Sequence, residues 1–526
     1  MSFDLLIRNG LVIDGSGNPG YQAAVGVEGD TLRLLRGDTS ALQAARTIDA
    51  AGHVVCPGFI DMHSHGGLVI LKEPLHEPKV RQGVTTELIG IDGNSHAPFK
   101  TREDLHRFIE LDSGLNGEPP MPAEWLTVAE HLSMFDNKVS VNIAFILGNS
   151  AVRIWAVGWN DRPATRAELD DMKALVREVS EEGSFGLSTG LDYPPGSYAD
   201  TNELIELSKA VAHTGGFYHT HTRASLRKQG LLAPWGEAVE IGKASGIPVH
   251  FTHYRQRTQG EGSHLDYLGL VEKSRDEGID VTFDCYPYVY GSTRANIVLP
   301  GWTMDGGPGR LAEILNAPKD RARLREEMRA GHRLGRPEEG WLTNFQKPHN
   351  AGYEGRSLAD IARERAQDPV DAFLDLMLDE GHGLCTVIVG TNPQTLPAFV
   401  SHPLGMVGSD AILLGEYPSP RTYGCFPVIL AEFVRAEKHL QLPEAIRKMT
   451  SFPAQRLGLR DRGMLRDGMK ADVVIFSPET VKAPATPQNP KQYPLGIPYV
   501  IVNGRVVVDD GKHTGALPGR ALRYGR

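Results

Sequence analysis

The middle of this 526-residue chain alternates short apolar strands with amphipathic helices, and no other feature restricts its fold as much. In "ELDDMKALVREVSEEG", Leu169, Met172, Val176 and Val179 return to one helical face, and the strand-like "SFGLSTG" follows. Asp200 with Glu203 predicts a capping box opening a helix that buries Leu204, Leu207 and Val211 and stops at Gly215-Gly216. "FYHTHTR" then reads as a strand, "WGEAVEIGKASG" leads to "IPVHFTHYR", and "DYLGLVEKSRDEG" leads to "IDVTFDCYPY". Alternation at this spacing means βα units and a parallel sheet. In a closed version of that sheet the strand C-termini carry the active site.

The two ends of the chain read differently. "DLLIRNGLVID" near the start and "ADVVIFS" and "PYVIVNGRVVVDDG" near the finish are short β-branched strands broken at Asn-Gly and Gly-rich turns. Residues 1–57 and 460–526 are therefore expected to build one small β-sandwich. Residues 58–459 are expected to form an α/β barrel, with a lid in the charged, Gly/Pro-rich insertion at about 296–350. The net charge of -10 disfavours nucleic acid and anionic membranes as partners. Neither a signal segment nor a membrane-length apolar run is evident, and the four scattered cysteines suit a reducing cytoplasm.

"GFIDMHSHGG" places His63 and His65 two residues apart at a strand end, so both imidazoles face one side. Two neutral imidazoles aimed at one point suit zinc, but they cannot complete a tetrahedral site alone. Further donors stand at other strand ends: His219 and His221, His250 and His253, and Asp410 after "PLGMVGS". His219 and His250 are surplus and read as supporting or packing residues. Two motifs are decoys. Gly15–Gly20 matches GxGxxG but runs into a strand, where a dinucleotide site needs a helix. "GLSTG" around Ser188 matches GxSxG but is followed by "LDYPPG", whose prolines break the helix that a nucleophile elbow requires.

These residues resemble the amidohydrolase superfamily. "QGVTTELIGIDG", "GLSTGLDYPPGSYAD", "THTRAS", "DCYPYVYGST", "GRSLADIARERAQDP" and "SPRTYGCFP" are similar to its N-acyl-D-amino-acid deacylase (D-aminoacylase) branch, over nearly the whole chain. The resemblance implies a distorted (β/α)8 barrel with a small β-sandwich from both termini. It implies one or two Zn²⁺ ions held by His63, His65, His221 and His253, with Asp410 as the catalytic acid-base residue. The branch has a metal-binding cysteine in the "GVTT" segment; here that position is Asp92, a harder ligand, with Glu87 as the fallback. Asn149 stands where the branch often has histidine, Ser419 where "HPR" is more usual, and Arg255 where lysine is usual.

The implied chemistry is hydrolysis of the amide bond of a small N-acyl-D-amino acid. Arg255 and Arg421 are the cationic candidates for its carboxylate, since Arg can grip a carboxylate through two parallel bonds. By resemblance, Tyr286 and Ser292 join them. Other amides (cyclic amides, dipeptides, xenobiotic N-acyl compounds) and a non-catalytic scaffold are the competing readings, and a homo-oligomer is compatible with either.

Overall fold

The computed structural model describes residues 2–257 and 262–525. Eight short parallel strands enclose its centre: β1 (Phe59–Asp61), β2 (Val84–Ile89), β3 (Asn142–Phe145, resuming as Leu147–Gly148), β4 (Gly186–Gly190), β5 (Phe217–His221), β6 (Val249–Phe251), β7 (Val281–Cys285) and β8 (Gly405–Val407). All are buried on both faces, as strands under a coat of helices must be. Their registers run in sequence order, for example His219 of β5 against His250 of β6. The ring closes between β8 and β1, where Met62 N–H points at Val407 O (3.5 Å) and Ser64 bridges Ala411. A break at Ile146, whose N–H bonds Ile89 O at 2.9 Å, splits β3 and distorts the barrel.

The expected helices form where their signals lie. Thr165 and Glu168 cap each other at the start of Arg166–Glu182, which buries Met172, Val176 and Val179. Asp200 accepts from Glu203 N–H at 2.8 Å and opens Thr201–Ala212. The reciprocal half of that box is missing, because the Glu203 carboxylate pairs with buried Arg153 instead.

Strands from both termini form two further sheets. Ser2–Arg8, Ala24–Glu28, Thr31–Leu35 and Gln43–Asp49 make one, and Val54–Pro57 pairs antiparallel with Val473–Phe476 at the centre of the other. Leu5, Val25, Val27 and Leu32 pack against Val55, Val473, Ile475 and Ile501 between them. Val54–Pro57 runs straight into β1, so the sandwich anchors the strand that precedes His63. The last strand departs from the boundary drawn at 460–526. Ala521–Leu522 leaves the sandwich and pairs in parallel with Ile143–Ala144 of β3.

The insertion at 296–350 is largely helical. Gly309–Asn316 and Pro318–Ala330 bury Leu311, Ile314, Leu324 and Met328 and pack on Pro369–Glu380. Trp341–Thr343 joins Tyr290–Arg294 and Cys385–Val389 in a three-stranded antiparallel sheet over the barrel. All four cysteines are buried and unpaired, and no helix among the described residues is long and apolar enough to cross a membrane.

Candidate metal centre and active site

The C-terminal ends of β1, β2, β5 and β6 and the segment after β8 deliver the predicted donors to one point. Asp92 Oδ2 lies at its middle: 3.4 Å from His63 Nε2, 3.9 Å from His65 Nε2, 3.6 Å from His221 Nδ1 and 3.8 Å from His253 Nε2. His221 Nδ1 and His253 Nε2 approach to 3.0 Å. Asp410 Oδ1 faces the first pair, 3.5 Å from His63 Nε2 and 3.3 Å from His65 Nε2. Glu87, the alternative to Asp92, is elsewhere. It accepts from Ser64 Oγ at 2.9 Å and lies 3.0 Å from His76 Nε2 and 3.4 Å from Lys79 Nζ.

Backbone shape puts the donors there. Asp92, His253 and Asp410 all have positive φ (54°, 37° and 49°), a conformation that non-glycine residues adopt at a cost and that gathers at functional sites. Gly93 extends the bend at φ 72°, and a Cβ there would come within 2.4 Å of Asn149 Oδ1. Asn149 donates to Gly196 O at 2.9 Å.

Two carboxylates missed in the sequence support the imidazoles. Asp284 of β7 sits 3.5 Å from His63 Nδ1 and 3.1 Å from His250 Nε2, and accepts from His253 N–H at 2.8 Å. Asp192 sits 3.2 Å from His221 Nε2 and accepts from Ala224 N–H at 2.9 Å. Carboxylates behind histidines fix ring orientation and tautomer. His219 lies 3.2 Å from Met62 O and stacks on His250, and with His63 and Asp284 it forms a further donor group whose atoms lie within 4.8 Å of one another. Ser188 ties strands together, donating to Gly90 O at 2.5 Å and accepting from Gly93 N–H at 3.1 Å.

Arg421, the second cationic candidate for the substrate carboxylate, already has a partner within the protein. It is fully buried, with Nη1 2.8 Å from Asp410 Oδ2 and Nη2 donating to Ser292 Oγ at 3.0 Å. Arg255 Nη1 donates to His253 O at 2.6 Å, and no carboxylate of the described residues pairs with it. The Tyr286 ring lies between the two guanidinium groups, 4.7 Å from that of Arg255 and 4.2 Å from that of Arg421, and its buried hydroxyl has no partner. Ser419 is buried beside this group, 3.4 Å from Tyr290 O.

The donor set suits a transition-metal ion. His63 Nδ1 and Nε2, His65 Nδ1 and Asp92 Oδ1 are buried without hydrogen-bond partners, and each such group costs about 1–3 kcal/mol if nothing satisfies it. The ligand atoms of His63, Asp92 and His253, and those of His63, His65 and Asp410, each lie within 4.8 Å of one another. Imidazole and carboxylate at such spacing are zinc chemistry, with room for one or two ions. Burial pulls His253 down to about 4 against the raising effect of Asp92, so it stays neutral and offers a lone pair. Burial opposes charge on His221 as well, but Asp192 and Asp92 overcome it and hold that imidazole up at about 9. A metal ion must displace that proton, so its binding weakens in acid. Burial would raise the Asp410 carboxyl, but Arg421 and His63 outweigh it and hold it well below its ordinary range.

Over 523 residues the chain is 32% identical to the D-aminoacylase of Alcaligenes xylosoxydans xylosoxydans, covering 99% of this chain and 97% of that protein. The chain belongs to the amidohydrolase superfamily, in its N-acyl-D-amino-acid deacylase branch. Residues 348–508 also match the model of the Amidohydrolase family. A second member of the branch, the N-acyl-D-glutamate deacylase of the same organism, is 31% identical over 99% of this chain and 96% of its own. Among solved structures, the N-acyl-D-glutamate deacylase of Bordetella bronchiseptica, complexed with zinc and a phosphonate mimic of the tetrahedral intermediate, superposes with a TM-score of 0.84. That pair is 28% identical, with 99% of this chain and 100% of the other covered.

Proposed function

We propose that this chain hydrolyses the amide bond of N-acyl-D-amino acids and that zinc is its metal. One observation carries the reading: four imidazoles converge on Asp92 Oδ2 with Asp410 facing them, in a chain of the deacylase branch. A non-catalytic scaffold has no use for so many buried, unpartnered donor atoms.

His221, His253 and Asp92 would form the tighter site, and His63 and His65 the weaker one. A bound zinc ion supplies Lewis acidity toward the amide carbonyl and lowers the pKa of a water from about 15.7 to about 7. The protein's part is proton transfer and orientation. Asp410, kept ionised by Arg421, accepts a proton from the attacking water at Oδ1 and delivers it to the departing nitrogen. An amine leaves poorly without that proton, so one group acts as base and then as acid. Asp284 and Asp192 hold the imidazoles in place. Arg255, the Tyr286 hydroxyl and Ser292 hold the substrate carboxylate, with Arg421 behind them. The helical insertion at 296–350 acts as a cover over this face.

The test is a panel of N-acyl-D- and N-acyl-L-amino acids, hydantoins and dihydrouracils offered to zinc-replete enzyme. Turnover of D-configured N-acyl amino acids is expected. Turnover confined to the cyclic amides, or none at all, overturns the reading.

A further inference from the structure

The chain is 32% identical to a D-aminoacylase and 31% identical to an N-acyl-D-glutamate deacylase, so identity does not indicate which substrate side chains or acyl groups it takes. The surroundings of the metal centre do. Beyond His253 the chain continues as Tyr254-Arg255-Gln256-Arg257. Arg255 and Arg257 share a narrow crevice with Arg227, and His221 and His253 line it as well. These three arginines therefore line a crevice that reaches the metal centre. Among the described residues no carboxylate lies within ion-pair distance of any of them. Arg223 next door is different, since it lies 3.4 Å from Glu237. Asp192 holds His221 and Ala224 N–H and attracts Arg257 from beyond ion-pair distance, so it forms no direct pair with it.

Two of the three are also held in place. Arg255 lies over Tyr286, and Arg227 lies 5.2 Å above the Trp235 ring. The Nε atoms of both are buried without a partner. Rigid, unpaired, like-charged groups repel one another and gain most from an anion. One substrate carboxylate accounts for Arg255 with Tyr286 and Ser292. The positive charge on Arg227 and Arg257 is left over.

Arg255 and Arg257 also border a cavity of about 350 Å³ beneath the helical insertion. Its other walls combine apolar side chains, among them Ile297, Trp341, Leu342 and Ile388, with Arg333 and the ion-paired Arg336 and Glu339. Arg255 and Arg257 thus mark the junction between a polar crevice at the metal centre and a roomier chamber with apolar and charged walls. A substrate with one carboxylate and an apolar remainder uses the chamber and Arg255, and leaves the other two guanidinium groups idle.

We propose that the substrate carries a second anionic group and that Arg227 and Arg257 receive it, which makes the substrate class N-acyl-D-amino acids with two carboxylates. This inference rests on the deacylase reading. The second carboxylate has two sources, an acidic side chain or a dicarboxylic acyl group, and the test separates them.

Zinc-replete enzyme is assayed on two matched pairs. N-acetyl-D-glutamate against N-acetyl-D-glutamine probes the side chain, and N-succinyl-D-leucine against N-butyryl-D-leucine probes the acyl group. In at least one pair the dianion should exceed its uncharged partner at least tenfold in kcat/KM, and that pair names the source. In Arg227→Gln and Arg257→Gln the same ratio should fall severalfold, and Arg257→Lys should retain part of it. A ratio at or below one in both pairs of the wild-type enzyme overturns the proposal, with no variant required to fold. A high ratio that both glutamine variants preserve also overturns it. Turnover with no preference for charge leaves the deacylase reading standing, whereas no turnover of any member removes that reading and this one together.

Discussion

Two buried polar clusters hang from the same three strands, a few residues apart. β1 supplies Asp61 to one and leads to His63 and His65 in the other; β2 supplies Glu87 and leads to Asp92; β8 leads to Ser409 and then Asp410. In the deeper cluster every charge has its counter-charge. Lys79 pairs with Asp61, donates to Ser409 Oγ at 2.6 Å and lies 3.4 Å from Glu87. Asp61 also accepts from Ser409 N–H at 2.8 Å and His63 N–H at 3.1 Å. None of Asp61, Lys79, Glu87 and Ser409 has a positive φ, and His76 beside Glu87 is the one member that does, at 46°. The outer cluster differs, with orphaned imidazole nitrogens and three residues in left-handed backbone. The inner cluster is closed on itself and fixes the strands. The outer one is left open for a ligand, and the rigidity beneath it keeps its strained backbone in place.

The contrast can be broken at either cluster. Asp410→Asn should lose about 10²–10⁴-fold in turnover, the usual worth of a positioned proton-transfer group. Its zinc content, measured by atomic absorption, should stay near the wild-type value because the imidazoles remain. A variant within a few-fold of wild-type turnover would remove Asp410 from its assigned role. Lys79→Met should instead act on stability, since breaking a fully buried ion pair costs about 3–5 kcal/mol. Urea unfolding reads this, and a loss under about 1 kcal/mol would mean that the inner cluster is not the clamp described.

Metal removal sharpens the distinction. Chelation should lower the unfolding free energy by about 2.7–4.1 kcal/mol relative to enzyme in 100- to 1,000-fold excess of zinc over Kd, and zinc should restore it. In His221→Ala and in His253→Ala both zinc content and this increment should fall; full retention of metal and activity in the two variants would dissolve the assigned site. The smallest expected effect is a shift in pH. Arg421 holds the Asp410 carboxyl down against the raising effect of burial, so Asp410 is ionised, and able to accept a proton, through neutrality. Arg421→Gln removes that influence and should raise the acid limb of kcat/KM by about one to three pH units. Activity is then lost first on the acid side and recovers as pH rises. An acid limb that does not move would separate Arg421 from Asp410.

Much of the outer cluster was legible because its donors occupy strand ends, where i and i+2 residues share a face. His63 with His65, and the single histidines His221 and His253, follow from that geometry and from barrel closure. The inner cluster gave no such signal. Lys79 in "EPKV" looks like a surface helix residue, and only the folded chain shows that it lies beneath β1 and β2. Asp284 and Asp192 were hidden for a related reason: an acid within "FDCYPY" or "LDYPPG" has no periodic partner, and its imidazole comes from a different strand. Arg421 stands out as a candidate for the substrate carboxylate because sequence shows charge but not pairing, and its partner Asp410 is eleven residues away across a loop. Glu203 illustrates the same limit on a small scale, since its capping role was readable and its competing partner Arg153, fifty residues earlier, was not.

The last strand has a consequence for how the protein is made. Ala521–Leu522 fills the seam beside β3, and Tyr524 N–H bonds Gly183 O at 2.9 Å in front of β4. Val54–Pro57, just ahead of β1, waits likewise for Val473–Phe476. A nascent chain leaving the ribosome therefore carries eight barrel strands that it cannot finally lock until residue 524 has emerged. For most of translation the edge of β3 stays unpaired, the condition in which chains aggregate and holding chaperones bind.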